Sequence, residues 1–358
     1  MSATKPNYNA KAPVMVTGAT GYVAGWLIKR LLDEGKTVHA AVRDPSKVAK
    51  TSHLSAMASS SPGDIKFFNA DLLEEGSYTA AMKGCDVVFH TASPFTTKIT
   101  DPQRDLVDPA VKGTHNVLET ANATESVKRV VLTSSCASIY GDNQDVAEAP
   151  GGVLTEEVWN TTSRLDHQAY SFSKVEAEKA AWKIADAQNQ WKLVVVNPAL
   201  VVGPGTANEQ TSESFAIARQ LGDGTMKSGV PKWEIGCVDV RDVAEAHMLA
   251  GFVPDAEGRH ITFAETKSFL DLGQALRAKY GDAYPFPKAT VPTWLLWLVG
   301  PIINKQMTRE MISKNMGIAW KADNTKSKEA LGLEYHSVDT ALKEMFQQLI
   351  DTGQIKKA

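Results

Sequence analysis

Tyr170 and Lys174 stand four positions apart in "AYSFSKVEAEKAAWKIA" (169–185), a stretch whose Ala, Glu, Lys and Val content favours helix. On a helix, residues at i and i+4 stack one turn apart on a common face. A tyrosine hydroxyl, with a reference pKa of about 10, exchanges protons poorly near neutrality unless a nearby cation helps. Lys174 can supply that charge, so the pair is a candidate for handing a proton to a reacting oxygen. A second Tyr-x-x-x-Lys, Tyr284 and Lys288 in "YPFPK", lacks this prospect. There Pro285 and Pro287 forbid the helix that would align it.

Two further groups could join the chemistry. The stretch "RVVLTSSCASIY" ends a strand in Ser134 and Ser135, and a serine hydroxyl at that place can hold a carbonyl oxygen. Neighbouring side chains on a strand face opposite ways, so only one of the two can enter a given pocket. Near the N-terminus, "VTGATGYVAGWLIKRLL" gives Gly18, Gly21 and Ala24 the spacing G-x-x-G-x-x-A. Glycines let a backbone turn sharply and approach a pyrophosphate at a helix N-terminus. The next strand ends in "AVRDPSKVAK", with Arg43 first, Asp44 next, and Lys47 and Lys50 following. An acidic residue leading there would hold a ribose 2′-hydroxyl. An arginine fork suits a 2′-phosphate, so NADPH is expected rather than NADH.

These groups need a scaffold, and the apolar pattern predicts one. Short buried strands are expected at 13–17, 37–43, 65–70, 86–92, 129–135 and 192–197, with helices at 22–34, 105–123 and 167–190 between them. Such alternation is the signature of a parallel, doubly wound α/β sheet. It breaks near "NPALVVGPG" (197–205). Beyond that point a smaller mixed C-terminal domain is expected, with helices at about 242–253 and 337–351. The predicted division is an N-terminal arm (1–11), a nucleotide domain (12–198 plus about 236–260), and a substrate domain (199–235 and 261–358).

Composition removes other classes. With 358 residues, 43% of them hydrophobic, the chain can bury a full core, and a net charge of −3 argues against nucleic acid or anionic membrane as partner. Three scattered cysteines suit a reducing compartment, and eight histidines without helical pairing give a metal site no support. "WLLWLVGPII" (294–303) is too short to span a bilayer and reads as a packed helix or a lid. The start "MSATKPNYNAKAP" has no apolar signal-peptide core. A cytoplasmic protein, monomer or homodimer, is expected.

Taken together, "VTGATGYVAGWL", "AAVRDPSK", "NADLLEEGSY", "VFHTASPF", "VKRVVLTSS", "YSFSKVEAEKAAW", "NPALVVGPG" and "DVRDVAEAH" resemble the extended short-chain dehydrogenase/reductases. The resemblance is strongest to the dihydroflavonol-4-reductase and cinnamoyl-CoA reductase-like group, which includes microbial aldehyde and ketone reductases. It implies a Rossmann domain and NADP(H). It also implies that Ser135 polarises the carbonyl, Tyr170 donates the proton, and Lys174 binds the nicotinamide ribose. Gly18, Thr20, Gly21, Tyr22 and Val23 would form the phosphate loop. Arg43 and Lys50 would meet the 2′-phosphate. Asp71 and Leu72 would frame the adenine, and Thr91, Ala92 and Ser93 would line the cofactor. Pro198 and Val201 would pack near the nicotinamide, with Ser214 by the diphosphate. Phe95 and Tyr140 would line the substrate pocket, and Cys136 would be a small filler.

Some positions depart from the group. Ala110 replaces an asparagine common in extended members, the cinnamoyl-CoA reductase signature N-W-Y-C-Y-G-K is replaced by "HQAYSFSK", and Tyr140 stands where flavonoid reductases tend to place asparagine. The expected activity is therefore reduction of an aldehyde or ketone small molecule. Dihydroflavonol reductase, hydroxysteroid-type dehydrogenase and sugar-nucleotide epimerase are the alternatives on the same fold. A non-catalytic NADP-sensing regulator is the alternative of another class, and it would need neither Ser135, Tyr170 nor Lys174.

Overall fold

Alternate residues of each central strand enter two different cores, which is what a sheet covered on both faces requires. Val14, Val16, Val38, Ala40, Val87, Phe89, Val131, Val194 and Val196 join one cluster, whereas Met15, Ala41, Val88, Val130, Leu132, Leu193 and Val195 join the other. A computed structural model of the chain describes residues 12–93, 99–208, 212–304 and 307–356. The seven strands of the large sheet are β1 (Val14–Thr17), β2 (Thr37–Val42), β3 (Asp64–Asn69), β4 (Val87–His90), β5 (Arg129–Thr133), β6 (Lys192–Pro198) and β7 (Gly258–Thr262). Their order is β7-β6-β5-β4-β1-β2-β3, and every pairing is parallel. This is the doubly wound Rossmann arrangement. From β1 the chain runs outward through β2 and β3, then returns to β4 on the other side. The crevice at the carboxyl ends of β1 and β4 is the switch point, where such sheets hold ligands.

Helices fill both faces. On one, α1 (Tyr22–Asp33) buries Leu27, Ile28, Leu31 and Leu32 completely. Each such side chain is worth about 1.5–3 kcal/mol of transfer free energy. On the other, α3 (Asp108–Asn122) supplies Val117, Leu118 and Ala121, and α4 (Ala169–Asp186) supplies Ala181 and Ile184. Between these helices in sequence lies α2 (Val48–Ser59), which buries only Thr51 and Leu54. Its weak apolar stripe gave the sequence no helical signal.

Beyond β6 the elements shorten. A three-stranded sheet is formed by Leu200–Val202, Glu234–Asp239 and Glu265–Ser268, and helix α5 (Glu213–Gly222) and helix Phe269–Tyr280 pack with Val338–Asp351 around Phe346. Helix α6 (Val240–Phe252) and β7 return to the large sheet. The apolar stretch forms helix Thr293–Ile303, which rests through Leu296 on Ile312 and Met316. Among the described residues no helix is long and apolar enough to cross a membrane.

Candidate active site

The glycine loop joins β1 to α1 as its spacing required. Gly18 has φ +61, and a Cβ placed there would stand 2.9 Å from Ala92 Cα. Glycine is needed on both counts, because the loop after β4 presses against it. That loop is tied down by β1: Ala92 N donates to Thr17 Oγ1 at 3.0 Å, and Thr91 Oγ1 donates to the Thr17 carbonyl at 2.5 Å. Thr20 and Gly21 are exposed at the mouth of the crevice. Gly21 is the N-cap of α1 and brings no side chain to cap the first turn, so its N–H groups are open to an anion. The side chain of Tyr22 is buried, and its hydroxyl donates to the Gly203 carbonyl at 2.6 Å. Only its backbone and that of half-buried Val23 can meet a ligand.

Arg43 is exposed directly after β2, and Lys50 is exposed in the first turn of α2. Asp44 is engaged by Ser46 Oγ at 2.6 Å and by Lys47 Nζ at 3.5 Å. Among the described residues Arg43 makes no ion pair, so the solvated Arg43–Asp44 pair that an exposed loop would invite is not formed. Next to this end of β2, Asp71 and Leu72 follow its paired neighbour β3. Asn116, on α3, donates to the carbonyls of Leu72 and Glu74 at 3.2 and 2.7 Å, and Gly113 leaves only enough room for Leu72. Neither Gly113 nor Asn116 was singled out in the sequence. Both hold the loop rather than face the crevice.

The two serines separate as strand geometry demands. Ser134 is buried, and its hydroxyl donates to the Glu178 carboxylate. Ser135 is partly exposed with extended backbone, and its Oγ accepts from Ala137 N at 3.1 Å. Tyr170 lies in the first turn of α4 and is 53% exposed, so its hydroxyl is free to meet a substrate. Lys174 Nζ sits 5.7 Å from the Tyr170 ring centroid and donates to Ser93 Oγ at 3.1 Å, bridging α4 to the loop after β4. Beneath it, burial first and the Lys174 charge second push His90 down to about 3. The neutral imidazole can then accept from Thr17 Oγ1, 3.0 Å from its Nδ1.

Glu178 was missed, although it continues the stripe Tyr170, Lys174, Glu178 at i, i+4 and i+8. It is fully buried. Its carboxylate takes Ser138 Oγ at 2.6 Å, Asn197 Nδ2 at 2.9 Å and Arg259 Nε at 2.6 Å. Ser138 and Asn197 also reach the Ser135 carbonyl, at 2.7 and 3.3 Å. One buried acid thus joins the helix of Tyr170 to the turn of Ser135.

The other expected residues fall as follows. Pro198 closes β6, Val201 lies in the small sheet, and Ser214 stands in the first turn of α5. Tyr140 packs edge-on against Trp320, at 5.9 Å, and burial raises its hydroxyl well above the usual range. Cys136 is buried with its thiol pushed up by burial, the state of a filler rather than a nucleophile. Asp239 caps α6 by accepting from Arg241 N at 2.8 Å, and Asp242 accepts from His336 N at 2.9 Å. Trp294 and Trp297 are 66% and 39% exposed, so neither packs an interdomain core. Phe95 and the arm 1–11 lie outside the described residues. Among the described residues no cluster of side chains could hold a metal ion.

Known proteins resemble this chain in sequence and in fold. The profile of the NAD dependent epimerase/dehydratase family matches residues 14–262. Cinnamoyl-CoA reductase CAD2 of Medicago truncatula is 35% identical, over 94% of this chain and 95% of that protein. A putative anthocyanidin reductase of Ginkgo biloba is 37% identical, over 80% of this chain and 84% of that protein. Among solved structures, the yeast methylglyoxal/isovaleraldehyde reductase Gre2, complexed with NADPH, superposes with a TM-score of 0.76 at 26% identity. That match covers 96% of this chain and 100% of the reductase.

Proposed function

The chain belongs to the NAD dependent epimerase/dehydratase family as an NADP-dependent oxidoreductase of the extended short-chain type, and from that premise we propose that it reduces bulky hydrophobic aldehydes or ketones with Tyr170 as proton donor. The observation that carries this reading is the position of Lys174, against the Tyr170 ring and bonded to Ser93 at the switch point. One cation there can serve both the phenol and a nicotinamide ribose. The open first turn of α1, the glycine cradle at Gly18 and the unpaired guanidinium of Arg43 fit the diphosphate and 2′-phosphate of NADP(H). When bound, NADPH supplies the hydride. Ser135 Oγ holds and polarises the carbonyl oxygen, and Tyr170 gives the proton as negative charge develops there. Lys174 stabilises the phenolate left behind. Thr91 and Ala92, bonded to Thr17, keep the cofactor wall in place.

Arg43→Ala tests the cofactor assignment. The variant should weaken NADPH binding by roughly 1.5–3 kcal/mol, the scale of a lost charge-assisted contact, with NADH binding little changed. Fluorescence titration with both nucleotides measures it. Equal loss with both would mean that Arg43 never meets the 2′-phosphate.

The substrate class rests on the apolar wall. Trp294, Trp297 and Leu298 leave large apolar surface exposed on helix Thr293–Ile303, which we assign to the substrate wall. Scattered basic residues such as Arg309, 4.5 Å over the Trp297 ring, form no cluster among the described residues to meet a sugar diphosphate or a CoA phosphate. Burying such surface yields about 25 cal/mol per Å2, which favours aryl or long-chain carbonyls over small polar ones. NADPH oxidation followed at a phenyl ketone and a small hydroxyketone should give a higher kcat/KM for the ketone, mainly through KM. Preference for the hydroxyketone would overturn the substrate class.

A further inference from the structure

The helix that carries Tyr170 begins from a strained residue. Gln168, its N-cap, sits at φ 57 and ψ 45, and it is the only non-glycine residue with positive φ among the described residues. Side chains with a Cβ avoid this left-handed region, and such a conformation persists where the surroundings over-determine it. They do so here. Gln168 Nε2 donates to Asp142 Oδ1 at 3.0 Å, and His167 Nε2 lies 2.6 Å from Asp142 Oδ2. An ionised carboxylate only accepts, so that imidazole nitrogen holds the proton. His167 and Arg164 exchange backbone hydrogen bonds of 2.8 and 3.1 Å, which fixes the approach to Gln168. A third donor comes from far along the chain: Asn315 Nδ2 donates to Asp142 Oδ1 at 2.6 Å. Asp142, His167 and Asn315 are all buried.

Two links run outward from this clamp. The Gln168 carbonyl accepts from Phe172 N at 3.0 Å, the backbone bond that spans Tyr170. Asn315 ends helix Arg309–Asn315, whose Ile312 packs under Leu296 of the exposed apolar helix. We propose that Asp142 is a positioning residue: its carboxylate holds Gln168 in the left-handed conformation, sets where the Tyr170 hydroxyl stands, and ties that position to the helices of the substrate wall. This rests on Tyr170 being the proton donor.

The test compares Gln168→Gly, Asp142→Asn and Tyr170→Phe for kcat, NADPH binding, melting temperature and amide exchange at Phe172. Glycine takes the left-handed conformation without strain, so Gln168→Gly should melt within about 3 °C of the parent. It loses the anchor to Asp142, so kcat should fall about tenfold and Phe172 should exchange faster, with NADPH binding unchanged. A role confined to stability would leave kcat intact in this variant. Asp142→Asn should behave alike; if it fails to fold, Gln168→Gly decides alone. Gln168→Gly with kcat within about twofold of the parent would overturn the proposal, provided Tyr170→Phe is slow. A Tyr170→Phe variant that kept its turnover would instead overturn the donor assignment and the positioning role with it. Phe172 exchange would still report whether Asp142 holds the helix start.

Discussion

Tyr170→Phe is expected to lower kcat and kcat/KM together by at least ~10², the usual scale for removing a general acid. The substitution is narrow. It deletes one hydroxyl from a residue that is half exposed in the first turn of α4 and keeps the ring. Lys174 loses neither its position over that ring nor its bond to Ser93. NADPH affinity and melting temperature should therefore stay near those of the parent. A fall confined to the chemical step is the mark of an interaction made only in the transition state. Stopped-flow NADPH oxidation, run beside a cofactor titration, separates the two quantities. Turnover near that of the parent would remove Tyr170 from the mechanism and leave Ser135 and Lys174 without a proton donor.

The parts of this site that depend on local pattern could be read from the chain alone. "VMVT", "VVFH", "RVVLT" and "LVVV" are apolar on both faces, and both faces of the sheet are covered, so the runs announced buried parallel strands. Strand alternation required Ser134 and Ser135 to part, and they do. What escaped was held by long-range contact. Glu178 meets Arg259 across 81 positions, and Asp142 meets Asn315 across 173. Nothing in the neighbourhood of either residue in sequence marks its partner. Helix Phe269–Tyr280 was missed for another reason. Ser268 and Asp271 form a capping box that the sequence displays as S-x-x-D, but Gly273 interrupts the helical run. That glycine is there because a Cβ would stand 2.6 Å from Pro287 Cγ. Packing chose it over propensity.

Glu178→Ala is expected to destabilise the fold by about 3–5 kcal/mol, because it strands the Arg259 guanidinium in the interior without its counter-charge. Both side chains are buried, Arg259 at 6% and Glu178 at 0% side-chain exposure, so solvent cannot replace the lost partner. The remaining contacts of Arg259 are neutral: the carbonyls of Glu156, Val158 and Ser138 at 2.9, 2.6 and 3.4 Å, Ser138 Oγ at 3.1 Å, and the Trp159 ring at 4.1 Å. They orient the guanidinium and leave its charge uncompensated. Ser134→Ala should cost only about 1–2 kcal/mol, since the carboxylate keeps Ser138, Asn197 and Arg259. The double change Glu178→Leu with Arg259→Met should regain much of the stability, as apolar replacements of buried pairs commonly do. It should not regain activity. Ser138 and Asn197, which brace the Ser135 carbonyl, would have lost the acid that fixes their own orientation. Urea melts of the four proteins, with kcat measured on each, separate the two roles. A Glu178→Ala variant within about 1 kcal/mol of the parent would mean that Arg259 finds water or another acid, and that the pair does not hold this end of the site together.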